Sequence, residues 1–194
     1  VSKQFLIQDS ASAEEMLKRD IVNAISDKLE ATILGNAAGS ATMPAGIFNG
    51  VTAETKDITY KRLVDMETAL EEANVAGNKC FIVSPSAKGI LKTTAKDALY
   101  NVTDGGVHTC VGCAGCLMEE NEVNGYPVYC TSNVTSKGVV MGHFEDFVIG
   151  QWGGIDLTVD PYTQAANGKV RLVINAYFDA KPRRTGSFQK AILK

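Results

Sequence analysis

The residues whose types and spacing could do chemistry stand together at His108-Thr109-Cys110-Val111-Gly112-Cys113-Ala114-Gly115-Cys116, with Cys130 further along. Thiolates at two-residue gaps can bend around a zinc ion or an iron–sulfur cluster, and the small residues between them allow the tight turn. Such a site needs a fourth ligand, which Cys130 could supply from a distance or His108 from nearby. A bacterial ferredoxin run would place the fourth cysteine close by and follow it with proline, whereas Leu117-Met118-Glu119 occupies that stretch. The competing reading makes them small, reduced cysteines on an extended hairpin, since free cysteine packs as a small hydrophobe. That reading is adopted, so no metal, cofactor-binding or catalytic residue is assigned. The chain has five cysteines, an odd count, and opens without a signal peptide, which argues against a disulfide framework.

Other chemistries find less. The two histidines, His108 and His143, are not spaced for a metalloprotease. His143, between Gly142 and Phe144 at the end of an expected strand, reads as a structural histidine. No Gly-x-Ser-x-Gly elbow and no phosphate-binding Gly-Lys-Ser/Thr loop occurs. Gly35, Gly39, Gly46 and Gly50 are too far apart to cradle a pyrophosphate. Glu71-Glu72 and Glu119-Glu120 read as solvated surface. Lys181, Arg183, Arg184, Lys190 and Lys194 could face nucleic acid or an acidic neighbour, but the expected reading is a solvated end. A net charge of -3 with both signs interspersed supplies no broad basic field for phosphate. No apolar run approaches the roughly 20 residues that span a bilayer, and the chain is expected to be soluble and intracellular.

The elements that would position these groups follow from periodicity. Phe5 and Ile7 alternate with polar neighbours, so the chain opens on a strand already under way; with no initiator Met, Val1 reads as a cleavage or cloning boundary with something upstream. Ser12 with Glu15 forms a capping box, and Leu17, Ile21, Ile25, Leu29 and Ile33 form a stripe at four-residue steps. This predicts a spine helix over about 13–34, ended by Gly35 as a residue that tolerates positive φ. Residues 35–51 read as a loop and 59–73 as a helix burying Leu63, Met66 and Leu70. Cys80-Phe81-Ile82-Val83 reads as a strand buried on both sides. Ser84 and Pro85 then open a third helix. Asn124-Gly125 marks a turn, and strands are expected at 138–143, 147–152, 155–159 and 169–179, with Trp152 on an amphipathic sheet. Helices early and strands late imply an α+β fold.

Four stretches then carry a resemblance. They are Val1-Ser2-Lys3-Gln4-Phe5-Leu6 running into Ala31-Thr32-Ile33-Leu34-Gly35-Asn36; Met43-Pro44-Ala45-Gly46-Ile47; Asn124-Gly125-Tyr126-Pro127-Val128 with Thr131-Ser132-Asn133-Val134; and Met141-Gly142-His143-Phe144-Glu145-Asp146-Phe147, leading through Gly153-Gly154-Ile155 to Val170-Arg171-Leu172 and Phe178-Asp179-Ala180. In order and spacing these resemble the major capsid proteins of tailed phages and prophages, the Hong Kong 97 fold. The resemblance implies a peripheral domain from residues 1–35, an axial domain from 36–165 and a return to the peripheral domain over 166–194. It implies an N-terminal arm and extended loop upstream of the spine helix, and since some relatives cross-link through a lysine of that loop, no cross-linking residue is carried over. The stretch 101–122 departs from the family pattern.

The implied function is structural rather than enzymatic. The chain would be a subunit of an icosahedral capsid that self-assembles into the shell enclosing DNA. Its partners would be copies of itself in hexamers and pentamers, with scaffold, portal or other virion proteins. DNA would be enclosed without sequence-specific binding, and no membrane is involved. The location would be the virion, assembled in the bacterial host cytoplasm. The alternatives are an encapsulin-like nanocompartment shell, or a small metal or iron–sulfur binding protein using Cys110, Cys113 and Cys116.

Overall fold

A computed structural model describes residues 1–2, 4, 10–96 and 115–194, leaving aside the side chains of 10–14. The chain divides into two compact units. A ribbon unit takes Val1–Glu30 and Ile149–Ala180; a sheet unit takes Ala31–Val148 and Lys181–Lys194. These cuts differ from the division expected at 35/36 and 165/166. The long strand after Phe147 leaves with the ribbon, and the C-terminal segment returns to the sheet.

The sheet unit is built on apolar strands that pair across the sequence. Its strands are β1 (Cys80–Val83), β2 (Glu122–Val123), β3 (Tyr126–Cys130), β4 (Gly138–Gly142) and β7 (Phe188–Ile192), in the order β2-β3-β1-β4-β7. β1 runs parallel to β3 and antiparallel to β4, with Phe81 opposite Val128 on one side and Met141 on the other. β7 lies antiparallel to β4, Val140 opposite Lys190. Every residue of β4 is buried, whereas β1 buries Phe81 and Val83 and leaves Cys80 and Ile82 half-buried, so the strand covered on both sides is β4 rather than β1. Within the segment expected as a solvated basic end, Phe188–Ile192 is a strand of the sheet, with Phe188, Ala191 and the following Leu193 buried, while Lys181, Arg183, Arg184 and Lys194 are exposed.

Helix α2 (Tyr60–Glu72) buries Leu63, Met66 and Leu70, the face its periodicity predicts, and Thr59 caps it by accepting the Arg62 N–H. Helix α3 (Pro85–Thr93) starts as expected on Ser84, whose hydroxyl accepts the Ala87 N–H at 3.2 Å. Together with Phe81, Val83, Leu91, Leu117, Val123, Val139 and Met141 these residues form one dry core. Each large side chain so buried contributes about 1.5–3 kcal/mol. The loop after Ile33 adds Phe48, fully buried. A Cβ at Gly46 would run into the Gly35 carbonyl, and the Phe48 N–H bonds that same oxygen at 3.0 Å. Gly35 itself keeps an ordinary φ; a Cβ there would sit 2.7 Å from the Ala31 carbonyl. Its role is close backbone approach, not the left-handed cap expected from sequence.

The ribbon unit is different in kind. Helix α1 (Ser10–Ile33) is unbroken, about 36 Å long at ~1.5 Å per residue. It already includes Ser10, two residues ahead of the capping box expected at Ser12. Leu17, Ile21, Ile25 and Leu29 are half-buried while most of their neighbours are exposed, so the predicted stripe is real but only partly covered. Strands β5 (Phe147–Asp160) and β6 (Arg171–Pro182) form a two-stranded sheet. Two strands were expected in place of β5; Gly153, at φ +73°, and Gly154 fall within one continuous strand, where glycines accommodate a local twist. Asp160 ends β5 by accepting the Thr163 hydroxyl and the N–H groups of Thr163 and Tyr162, which hold its carboxyl below the usual range. Val1 and Val170 exchange backbone hydrogen bonds at 2.9 and 2.8 Å, and Ser2 bridges Lys169. Gln4, expected in the opening strand, is helical, and Phe5 and Ile7 lie outside the described residues. Among the described residues of this unit only Ala180 is buried.

Candidate functional site

Three of the five cysteines fall among the described residues, and α3 keeps two of them apart. Cys130 ends β3 beside Val83, just before the N-terminus of α3. Cys116 bridges Ala95, and the neighbouring Leu117 N–H bonds Thr94 O, just past the C-terminus of α3. Nine helical residues separate those ends by about 13 Å, whereas sulfurs sharing one zinc each lie about 2.3 Å from it. Cys130 is therefore not placed to be a fourth ligand beside Cys116. Cys80 stands at the far end of β1 from Cys130, and burial pushes its thiol up from the ordinary value. His108, Cys110 and Cys113 lie outside the described residues. Among the described residues, no three of His, Cys, Asp and Glu converge on one point.

His143 is seated against Gly77, where a Cβ would lie 2.5 Å from its ring, and its Nδ1 is 2.8 Å from the Asn78 carbonyl oxygen. Only 12% of the side chain is exposed, with Glu145 3.6 Å from Nε2. That is the structural histidine expected from sequence. Glu67 accepts hydrogen bonds from the Tyr126 hydroxyl at 3.0 Å and the Asn124 amide at 3.4 Å. Desolvation, then this carboxylate, pushes the Tyr126 phenol above its ordinary value. An open groove of about 580 Å³ runs past Tyr60, Lys96, Glu119, Glu122 and Asn124. Among the described residues it offers one ammonium, that of Lys96, beside several carboxylates, and no nucleophile paired with a base. Of the basic residues, Lys194 stands 3.5 Å from Asp57 and Lys190 is half-buried in β7; Lys181, Arg183 and Arg184 are exposed.

What remains conspicuous is apolar surface on the ribbon unit. Ile155, Leu157 and Val159 recur at every second residue and so share one face of β5, each about half exposed, with Asp156 and Thr158 on the other. Trp152 is 61% exposed, Tyr162 85% and Tyr177 68%, and Val22 on α1 is 55% exposed. Single exposed apolar residues need no explanation, but a run on one thin ribbon marks an interaction surface. The period-two alternation is visible in the sequence; that no described residue of the unit covers it is not.

Comparison with known proteins agrees with this architecture. The profile of the Phage capsid family matches residues 1–191. A major capsid protein of Halomonas phage phiHAP-1 is 26% identical over 197 residues, covering 98% of this chain and 30% of its own length. The chain thus spans about three-tenths of that curated relative. Among solved structures, the capsid of an empty GTA particle has a TM-score of 0.68 at 16% identity, over 100% of this chain and 69% of that one. A Gordonia phage Cozz chain has a TM-score of 0.66 at 16% identity, over 100% and 67%. The fold is the α+β, Hong Kong 97-like fold of phage capsids that the four sequence stretches resembled. No helix among the described residues is long and apolar enough to cross a membrane. With the profile running through almost every residue from the first strand pairing to β7, this chain belongs to the Phage capsid family.

Proposed function

We propose that the chain builds the shell of a phage or prophage icosahedral capsid, acting by self-assembly and not by catalysis. One observation carries this reading: the ribbon unit exposes Ile149, Trp152, Ile155, Leu157, Val159 and Tyr177, and buries only Ala180 among its described residues. A two-stranded ribbon is marginal by itself. Covering each half-exposed aliphatic side chain against a neighbour is worth about 1 kcal/mol, and closed symmetry repeats one modest contact around the shell. In the family's terms the ribbon unit is the peripheral domain and the sheet unit the axial domain. The partners are copies of the same protein in hexamers and pentamers, with scaffold and portal proteins beside them. DNA is enclosed without sequence-specific contacts, in keeping with a net charge of -3, and assembly takes place in the host cytoplasm.

Electron microscopy of the full-length protein, expressed with any scaffolding region, tests the reading. Capsomer rings or uniform particles are expected. A protein that stays monomeric at high concentration would overturn it, and particles loaded with a protein cargo in place of DNA would favour the nanocompartment.

A further inference from the structure

The polypeptide leaves the sheet unit after β4 and comes back before β7, and Asp146 ties the two segments together at two points. Its carbonyl accepts the Arg183 N–H at 2.7 Å, and its carboxylate Oδ2 accepts the Ser187 hydroxyl at 2.5 Å. The Ser187 carbonyl in turn accepts the His143 N–H at 3.2 Å, so each segment both gives and receives. The Phe188 ring closes the arrangement, edge-on to Phe144 at 5.3 Å and to Phe147 at 5.9 Å. Ser187 and Phe188 are 1% and 4% exposed. A Cβ at Gly142 would lie 2.5 Å from both the Ser187 carbonyl and the Phe188 ring, so the returning segment lies directly against the end of β4.

We propose that this clamp is a firebreak between cooperative units: it lets β5 and β6 open locally without unravelling β4 and β7. Local opening follows the least-packed segments, and residues 149–179 are almost wholly exposed or half-buried. Opening that spread along either strand would reach the core strands β4 and β7 within a few residues. At Asp146 it meets two hydrogen bonds and three packed rings contributed by both segments at once. Asp146 is a positioning residue in this scheme, acting through Ser187 and Arg183. The scheme holds whether or not the chain builds shells.

Hydrogen exchange followed by mass spectrometry on the whole chain tests it. In the wild type, peptides covering 143–147 and 183–188 are expected to exchange as slowly as those of β4, while 150–160 and 171–179 exchange fast. Removing a charge-assisted hydrogen bond of this kind costs a factor of about ten to a hundred. Asp146→Ala and Ser187→Ala should therefore speed exchange at 183–188 by about that factor while leaving Leu63–Leu70 slow. Asp146→Asn keeps an oxygen that can accept the Ser187 hydroxyl and should restore most of the protection. Peptides of 143–147 and 183–188 that exchange as fast as 150–160 in the wild type would overturn the proposal. So would protection unaffected by Asp146→Ala, or an equal acceleration across the whole core.

Discussion

The sheet unit and the ribbon unit use similar residues to opposite ends. In the first, Leu63, Met66, Leu70, Phe81, Val139 and Met141 are at most 1% exposed, and two helices and a five-stranded sheet enclose them. In the second, Ile149, Ile155, Leu157 and Val159 are equally apolar yet about half exposed. One unit carries its stability internally; the other has the rod and strands of a folded domain, and its described residues do not supply enough layers to bury them. The difference teaches that an apolar stripe identifies a surface to be covered without saying which molecule covers it.

The comparison can be broken most sharply in the core. Phe81→Ala is expected to destabilise the chain by about 3–5 kcal/mol, read as a lower urea midpoint with an unchanged slope. Gly142→Ala is expected to cost about 1–3 kcal/mol through overpacking against Ser187 and Phe188, measured the same way. Ser84→Ala removes the cap of α3 and should cost about 1 kcal/mol. Leu157→Ser should alter the folding of the chain by no more than about 0.5 kcal/mol, yet abolish particles of the full-length protein under the electron microscope; a loss as large as that of Phe81→Ala would erase the distinction between the units. The smallest effect is a titration. Because the folded state holds the Tyr126 phenol high, by desolvation first and the Glu67 hydrogen bond second, it favours the neutral form. That contribution is present below the ordinary phenol range and is lost as pH rises through the folded value. Tyrosinate absorbance, taken as the difference from Tyr126→Phe, should show the step moving down in Glu67→Gln.

Local physics made much of this legible in advance. The four-residue stripe of α1, the buried face of α2 and the Ser84-Pro85 start of α3 each follow from spacing that only a helix satisfies, and each is found within a few residues. The failures share a cause. β7 is hidden in the basic run of Lys181, Arg183, Arg184, Lys190 and Lys194, while its burial depends on β4, some fifty residues earlier. Phe48 sits in a Gly- and Ala-rich loop whose closure depends on the Gly35 carbonyl meeting Gly46. Pairing partners distant in sequence set both outcomes, and no local pattern encodes them. At the candidate surface the alternation of Ile155, Leu157 and Val159 is readable, but its exposure depends on which other segments lie against it, and no local pattern encodes that. The cysteine run drew attention by spacing alone. Only the position of α3 separates Cys130 from Cys116.

That separation has a practical corollary at the bench. A disulfide needs Cα atoms within about 7 Å. Cys130 stands a helix length from Cys116, and β1 puts about 10 Å of strand between it and Cys80. Any sulfur–sulfur bond that Cys130, which is exposed, makes to either of these two joins separate molecules. On a non-reducing gel such a bond appears as a dimer band, and it measures how often neighbouring sheet units meet.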